Sequence, residues 1–472
     1  MTIKHEVKYL DWTFSFRMSP FSGPLVYDVR FRGERIAYEI GLSEVAVFYS
    51  GFAPFMQTQD LADSGALLGT HAKTLVADVD CPASATFVNQ VLWTPQTFVN
   101  QHSAEPAVYA RTFCVFEFPN GYPLRRHSAY GLHQGAFYGG MQDIVLTLRS
   151  ALTIGNYDYL VDFVFHQNGV IDGRFMSTGY IQSSMYSHNE RYGFQISKGV
   201  LGNLHQHLAH FKVDLDVGGT DNRYHTLDIR PQEINMTLVS CSFSRKFPDR
   251  KYHQSHFEPH LLRDEQEALY QFNFDTPRYH VISNEAKKTD TGLARGYRLT
   301  LNGMSKFLQS RDQQNEPLAS WARHQLAVTR HKDSELTSSS NYAMFDQLEP
   351  TVRFTDFYKD KENIVDQDLV LWLTLGMHHI PHTEDLPVTT TTGTVLSFSL
   401  LPYNFFPECP SMSSRDNVFI GHKNRRDPSQ GVRVDQFNGP DDQCVSPKST
   451  FLEDLEGDPD IVIQTNKPHL VQ

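Results

Sequence analysis

The sequence has no apolar run that could cross a bilayer as a helix. Its longest, LVLWLTLGM at residues 369–377, is well short of the ~20 residues that a span requires. There is no basic block, and the formal net charge is −12. With nothing to neutralise phosphates, a nucleic-acid partner is disfavoured. No C-x-x-C pair occurs among Cys81, Cys114, Cys241, Cys409 and Cys444, which removes a cysteine-built metal site. Taken alone, such dispersed cysteines read as free buried thiols. H-E-x-x-H is also missing, and with it the common signature of a zinc hydrolase. The N-terminal MTIKHEVKYLDW lacks the apolar centre of a signal peptide. It reads as a strand already under way, so an incomplete start is expected. Helical periodicity is nearly absent: only RDEQEALYQF, residues 263–272, reads as a short helix.

What is present is alternation. Runs such as LVYDVRFRGERIAYEI, YLVDFVFHQNGVIDGRF, HFKVDLDV, GYRLTL and TVLSFSLL repeat with the period of two that strands require. Asn120-Gly121, Asn168-Gly169, Asp172-Gly173 and Asn302-Gly303 punctuate them, supplying the positive φ angles of tight hairpins. Aromatics make up 12% of the chain and suit a pleated surface. Its 472 residues allow roughly two to four domains, although all-β chains often form one. Past about residue 407 Pro, Asp, Ser and Asn accumulate, which reads as an extended tail. The expected fold is mainly β, a large antiparallel β-sandwich.

Two features stand out against this pattern. In GNLHQHLAHFKVDLD, residues 202–216, strand parity puts His205 and His207 on one face with Phe211, Val213 and Leu215. Asp214 and Asp216 take the other face. Two imidazoles on an apolar face need partners for their ring nitrogens. A copper or zinc ion would serve, and so would hydrogen bonds to backbone or carboxylate. GMHHIPHTED, residues 376–385, offers His378, His379 and His382 as a third ligand, and spacing does not choose among them. The second feature is TIGNYDYLVDFVFHQNGV, from Thr153. There Tyr157, Tyr159, Val161, Phe163 and Phe165 share a face, making Tyr157 an inward tyrosine. Read physically, it is a core residue with a satisfied hydroxyl.

TIGNYDY also fits the T-x-x-N-Y-[DE] signature of copper-containing amine oxidases. LHQHLAHFKVDLDV resembles that family's copper segment, and HHIPHTEDLPVTTTTGTVLSFSLLPYNFFPECPS resembles the segment with the third copper histidine. YLDWTFSFR, YDVRFRGERIAYEI, DCPASATFV, CVFEFPNGYPLRRH and SWARHQLAVTRHKDSEL follow in the family's order. The likeness covers nearly the whole chain and is greatest to animal, diamine-oxidase-like members. It implies the family's supersandwich fold with projecting hairpin arms. It also implies a catalytic domain over residues 1–430, with residues 431–472 as a tail.

On the residues, the resemblance implies that Tyr157 is the precursor of the quinone cofactor topaquinone, flanked by Asn156 and Asp158. His205, His207 and His379 are the implied copper ligands, which leaves His210, His378 and His382 with ordinary roles. Asp63, in ADSGALLG, matches the catalytic base, although the intervening residues depart from the family's wording. Tyr49 matches the tyrosine that hydrogen-bonds the cofactor. A calcium site is implied at Asp214, Asp216, Asp368 and the carbonyls of Leu215 and Leu369, since hard cations prefer oxygen. A second maps to Glu265, Phe357, Asp360 and Glu362; Asp360 replaces an amide there, and solvated carboxylates are the other reading. Cys81 and Cys114 match a family disulfide, and Cys444 a tail cysteine linking two subunits, with a free thiol as its alternative.

The implied function is oxidative deamination of a primary amine by O₂ to aldehyde, ammonia and hydrogen peroxide. It would proceed in ping-pong fashion through a Schiff base on the cofactor. Members are homodimers that exchange hairpin arms. They carry small α+β domains ahead of the part matched here, and secretion is implied for the full-length relative. Without those domains, the alternative is a non-catalytic remnant that binds metal or dimerises.

Overall fold

The computed structural model describes residues 5–52, 60–93, 106–128, 137–186, 191–235, 251–313, 316–340, 342, 346–424 and 426–436. Two large sheets face each other, and every pairing between their strands is antiparallel. The first runs His5–Tyr9, Trp12–Ser19, Gly23–Phe31, Glu34–Tyr49, His205–Leu215, Leu369–His379, Leu326–Arg330, Leu269–Tyr270. A short strand, Asp60–Ala62, pairs with the end of Glu34–Tyr49. The centre of the second sheet runs Ala294–Asn302, Leu396–Tyr403, Ile171–Gly179, Tyr157–His166, Phe137–Ile154.

Alternation builds the core between them. Ile171–Gly179 is buried at every second residue, the pattern of a strand with one apolar face. Across the gap Phe14 stacks on Phe165 and Phe211 meets Phe398 edge-on, offset geometries that aromatic quadrupoles favour. The first sheet is buried on its other face too. Leu369, Leu371, Leu373 and Leu375 join the inter-sheet core. Val370 and Trp372 pack outward among Trp321, Phe354 and Phe357. That double burial explains the continuous apolar run at 369–377.

Several sequence expectations change. Among the described residues there is no α-helix, only short 3-10 turns. RDEQEALYQF forms an irregular turn, with Ala268 N–H donating to the Asp264 carbonyl, and then the strand Leu269–Tyr270. Of the four glycine dipeptides, only Asn168-Gly169 closes a hairpin, with Gly169 at φ 86°. Asn120-Gly121 is a bulge inside the strand Ala107–Ser128. Asn302-Gly303 ends its strand without reversing it. Gly173 lies mid-strand, where a Cβ would sit 2.2 Å from the Phe398 ring, so its glycine serves packing. Part of the expected tail is ordered: Asn417–His422 pairs with Phe137–Ile154, and Val432–Gln436 pairs with it in turn. Residues 437–472 lie outside the described residues.

The arm Arg223–Asn235 and Lys251–Leu261 is a long antiparallel pair whose outer residues Pro231, Gln232, Glu233 and Ile234 are exposed. Cys81 and Cys114 are joined in a disulfide. Cys409 is free, and Cys241 and Cys444 lie outside the described residues.

Candidate metal centre

Three adjacent strands deliver the site as one row. His205 pairs with Tyr49 on one side and with His379 on the other, so all three project from the same level. His207 stands two residues along the central strand and therefore on the same face. Strand Glu34–Tyr49 holds an extra residue between its partners of His210 and Phe211. The parity of His205–Leu215 is unbroken, and Ala209, Phe211, Val213 and Leu215 continue into the core.

Tyr157 comes from the opposite sheet. Ile154 pairs with Tyr157, so Gly155-Asn156 is a two-residue hairpin loop, with Gly155 at φ 58°. The loop is closed by Asn156 Nδ2 donating to the Tyr180 carbonyl at 2.6 Å and by Thr153 donating to Asp158. Gly179 lies opposite Tyr157, where a Cβ would fall 3.0 Å from the Tyr157 Cα; its φ of +108° also favours glycine. The loop thus places Tyr157 first in an inward-facing strand.

The ring nitrogens converge. Candidate ligand atoms of His205, His207 and His379 lie within 4.8 Å of one another. His205 Nε2 is 2.9 Å from His207 Nε2. The Tyr157 hydroxyl is 3.0 Å from His205 Nε2 and 3.3 Å from His379 Nδ1. Tautomers follow from the other nitrogens. His205 Nδ1–H donates to the Asn203 carbonyl at 2.7 Å, and His379 Nε2–H to Asp385 at 3.1 Å. His207 Nδ1 is buried without a partner. Burial pushes His205 down to about 3 and, helped by its two neighbours, takes His207 well below the ordinary imidazole range. Burial also lowers His379, against the pull of Asp385. Neutral imidazoles aiming lone pairs at one point repel unless a cation lies between them. The donor set therefore fits a borderline-soft ion such as copper or zinc.

Asp63 opens a 3-10 turn after Asp60–Ala62. It is buried, its Oδ2 has no partner, and the Tyr159 hydroxyl faces it. Burial first, and then the charge of Glu44, hold its carboxyl well above the usual range. Tyr159 lies parallel to Tyr157, ring centroids 6.2 Å apart, so Asp63 and Tyr157 border the same space. The Tyr49 ring lies 4.9 Å from His205, and its hydroxyl meets Asn156. Hydrogen bonds of the Tyr157 hydroxyl reach His205 and His379, and the Thr389 side chain also meets it.

The other candidates separate. His210 sits between Trp321 and Trp372 with Nδ1 on Thr374. His378 meets Ser305, and His382 is mostly exposed beside Asp385. Asp214 gathers with Asp368 and with His331, which sequence reasoning missed. His331 Nδ1 is 2.8 Å from Asp214 Oδ2, and the carboxylate lifts the imidazole to about 9. Burial, Asp214 and Asp216 raise Asp368 to about 6. Asp216 accepts from Arg35 at 3.2 Å, and Leu215 pairs with Leu369. Glu265, Asp360 and Glu362 also cluster, with Lys332 Nζ 2.7 Å from Glu362 and 3.2 Å from Asp360. Phe357 is buried in the outer apolar layer. The period of two put Tyr159 on the face of Tyr157 without assigning it a role, and sequence reasoning missed Asp385 and Glu44, which no spacing motif marks.

Residues 2–420 match the copper amine oxidase, enzyme domain family. The chain belongs to the copper amine oxidase family. It is 38% identical over 419 residues to the diamine oxidase [copper-containing] of Sus scrofa, covering 88% of this chain and 53% of that protein. To the Homo sapiens diamine oxidase it is 39% identical, covering 88% of this chain and 53% of that one. The crystal structure of Aspergillus nidulans amine oxidase superposes with a TM-score of 0.83 at 28% identity, over 96% of this chain and 58% of that one. The chain thus spans about half the length of these curated copper amine oxidases. Its histidine triad fits the copper for which the family is named.

Proposed function

We propose that the chain catalyses copper- and topaquinone-dependent oxidation of primary amines: RCH₂NH₂ + O₂ + H₂O gives RCHO + NH₃ + H₂O₂. The observation that carries this reading is the Tyr157 hydroxyl, held within hydrogen-bond reach of two of three clustered imidazoles. Copper held by His205, His207 and His379 would drive oxidation of the Tyr157 ring by O₂ to a quinone that accepts the electrons of the amine.

The chain's own residues account for the rest. Asp63 is the general base that takes the proton from the amine carbon; a buried carboxylate with no partner on Oδ2 is a stronger base than a solvated one. Tyr159 orients Asp63, and Asn156 holds Tyr49 beside the row. Asp385 fixes the ring of His379. Calcium would be held by Asp214, Asp216 and Asp368 with the carbonyls of Leu215 and Leu369, and His331 would have to yield Asp214 to it. At Glu265, Asp360 and Glu362, Lys332 already supplies positive charge. A homodimer is proposed through the arm formed by Arg223–Asn235 and Lys251–Leu261. A secretory location accords with the Cys81–Cys114 disulfide.

The test is to load metal-free protein with Cu²⁺ in air. A visible quinone band that phenylhydrazine shifts, with oxygen added to the peptide containing Tyr157, is the expected result. Tyr157→Phe is expected to bind copper and stay colourless. A wild-type chain that holds copper without colour overturns the reading in favour of a non-catalytic metal-binding protein.

A further inference from the structure

Glu44 is a charged residue that the mechanism above does not use, yet its side chain is fully buried. It lies on the strand that Asp60–Ala62 joins, where Ala62 pairs with Ala46, so Asp63 emerges next to it. Four donors converge on Glu44. The backbone N–H groups of Val45 and Ser64 reach Oε1 at 2.9 and 2.8 Å. The hydroxyls of Ser64 and Ser339 donate to Oε2. Ser64 directly follows Asp63, so this grip anchors the turn that presents Asp63. Ser338 closes the outer side by bonding Ser43.

We propose that Glu44 is a positioning residue for Asp63, a fixed buried anion that clamps the Asp63–Ser64 turn and keeps the catalytic carboxylate beside a negative charge. The inference rests on the amine-oxidase reading of the site. Two carboxylates in one buried place cannot ionise equally, and the one with more donors keeps the charge. Burial raises both carboxyls, but four donors oppose it at Glu44, whereas Asp63 Oδ2 has none. The proton therefore resides more readily on Asp63, as a base that must accept one requires. The titratable groups facing Asp63 are Glu44, Tyr159 and Tyr49; neither phenol ionises in the working range, because burial raises both. Glu44 pairs with His210 across the strands, five residues along from the Tyr49–His205 row. That is roughly 17 Å at the strand rise, so copper binding and quinone formation are independent of it.

Glu44→Gln separates charge from shape, because Oε1 can still accept both backbone N–H groups and Nε2 can donate to the serine hydroxyls. With copper loaded, E44Q is expected to form as much phenylhydrazine-reactive quinone as wild type. Its kcat should fall several-fold, and the acidic limb of kcat/KM should move down by about one pH unit as the neighbouring charge disappears. If E44Q does not fold, Ser339→Ala, which removes one donor, is expected to move the limb the same way by less. The second readout needs neither copper nor turnover: urea midpoints of metal-free wild type, E44Q, D63N and the double variant at pH 5 and pH 8. A carboxylate whose proton affinity rises on folding stabilises the chain below the unfolded value and loses that contribution as pH rises. Each single variant should therefore be less destabilised at pH 8 than wild type, and the double variant should not gain the sum, since the repulsion is relieved once. An unmoved acidic limb, or additive midpoints at pH 8, overturns the proposal. The cycle decides it even for a chain that forms no quinone, an outcome that would count against the amine-oxidase reading alone.

Discussion

At the scale of single residues, the histidine cluster depends on groups that lie outside it. His379 can offer Nδ1 to the cluster only because Nε2–H is engaged by Asp385, itself buried and gripped by the backbone N–H of His382. Partners of this kind set both ring orientation and basicity. Asp385→Asn is therefore expected to lower copper affinity about 10- to 100-fold, read by competition with a copper chelator, with the far-UV spectrum unchanged. Retained affinity would show that His379 is oriented by packing alone. The same logic separates His379 from its neighbours. His378 and His382 carry the same chemistry, but strand pairing turns only His379 toward His205.

At the scale of elements, charge pins the strands of the second sheet. His166, Asp143 and Asp172 come from three adjacent strands, and His166 lies 3.0 Å from Asp143 and 3.1 Å from Asp172. Burial would push the imidazole down, but hydrogen bonds to both carboxylates overcome it and raise it to about 9. A group raised in the folded state contributes fully below its unfolded value of about 6.5, and that contribution fades as pH climbs toward 9. Metal-free chain is expected to lose up to about 3 kcal/mol between pH 6.5 and 9 through this residue. His166→Gln should be less stable at pH 6 and show a flatter profile over that window by urea titration; a parallel profile would refute the assignment. Elements also show where local signals misled. Glycine dipeptides read as turns because positive φ is their common use, yet Gly173 serves the Phe398 ring. The loop that matters most, Gly155-Asn156, carries its glycine in reversed order.

At the scale of the molecule, a sandwich this size keeps the chain from Ala77 to Leu92 docked partly through the Cys81–Cys114 bridge. That bridge spans a sequence separation of 33. Closing a loop of that length limits the unfolded chain and is worth about 3–4 kcal/mol in the entropy model. The paired change Cys81→Ser with Cys114→Ser is expected to lower unfolding free energy by that order without removing the proposed quinone formation, since the sulfurs pack in a separate small cluster with Leu75 and Phe116. Loss of the quinone band in that variant would tie the bridge to the site.

By itself, the sequence determined the strands, the shared face of His205 and His207, and the inward direction of Tyr157, because a period of two is a local property of an extended backbone. Motif order then pointed to the family. Only the tertiary structure chose among His378, His379 and His382 on physical grounds, brought Tyr157 across from the other sheet, and set Glu44 beside Asp63 and His331 beside Asp214. Those juxtapositions join residues 19 to 222 positions apart in the sequence. No local pattern encodes them, since they exist only once strand register and sheet packing have been settled by burial of the whole apolar core.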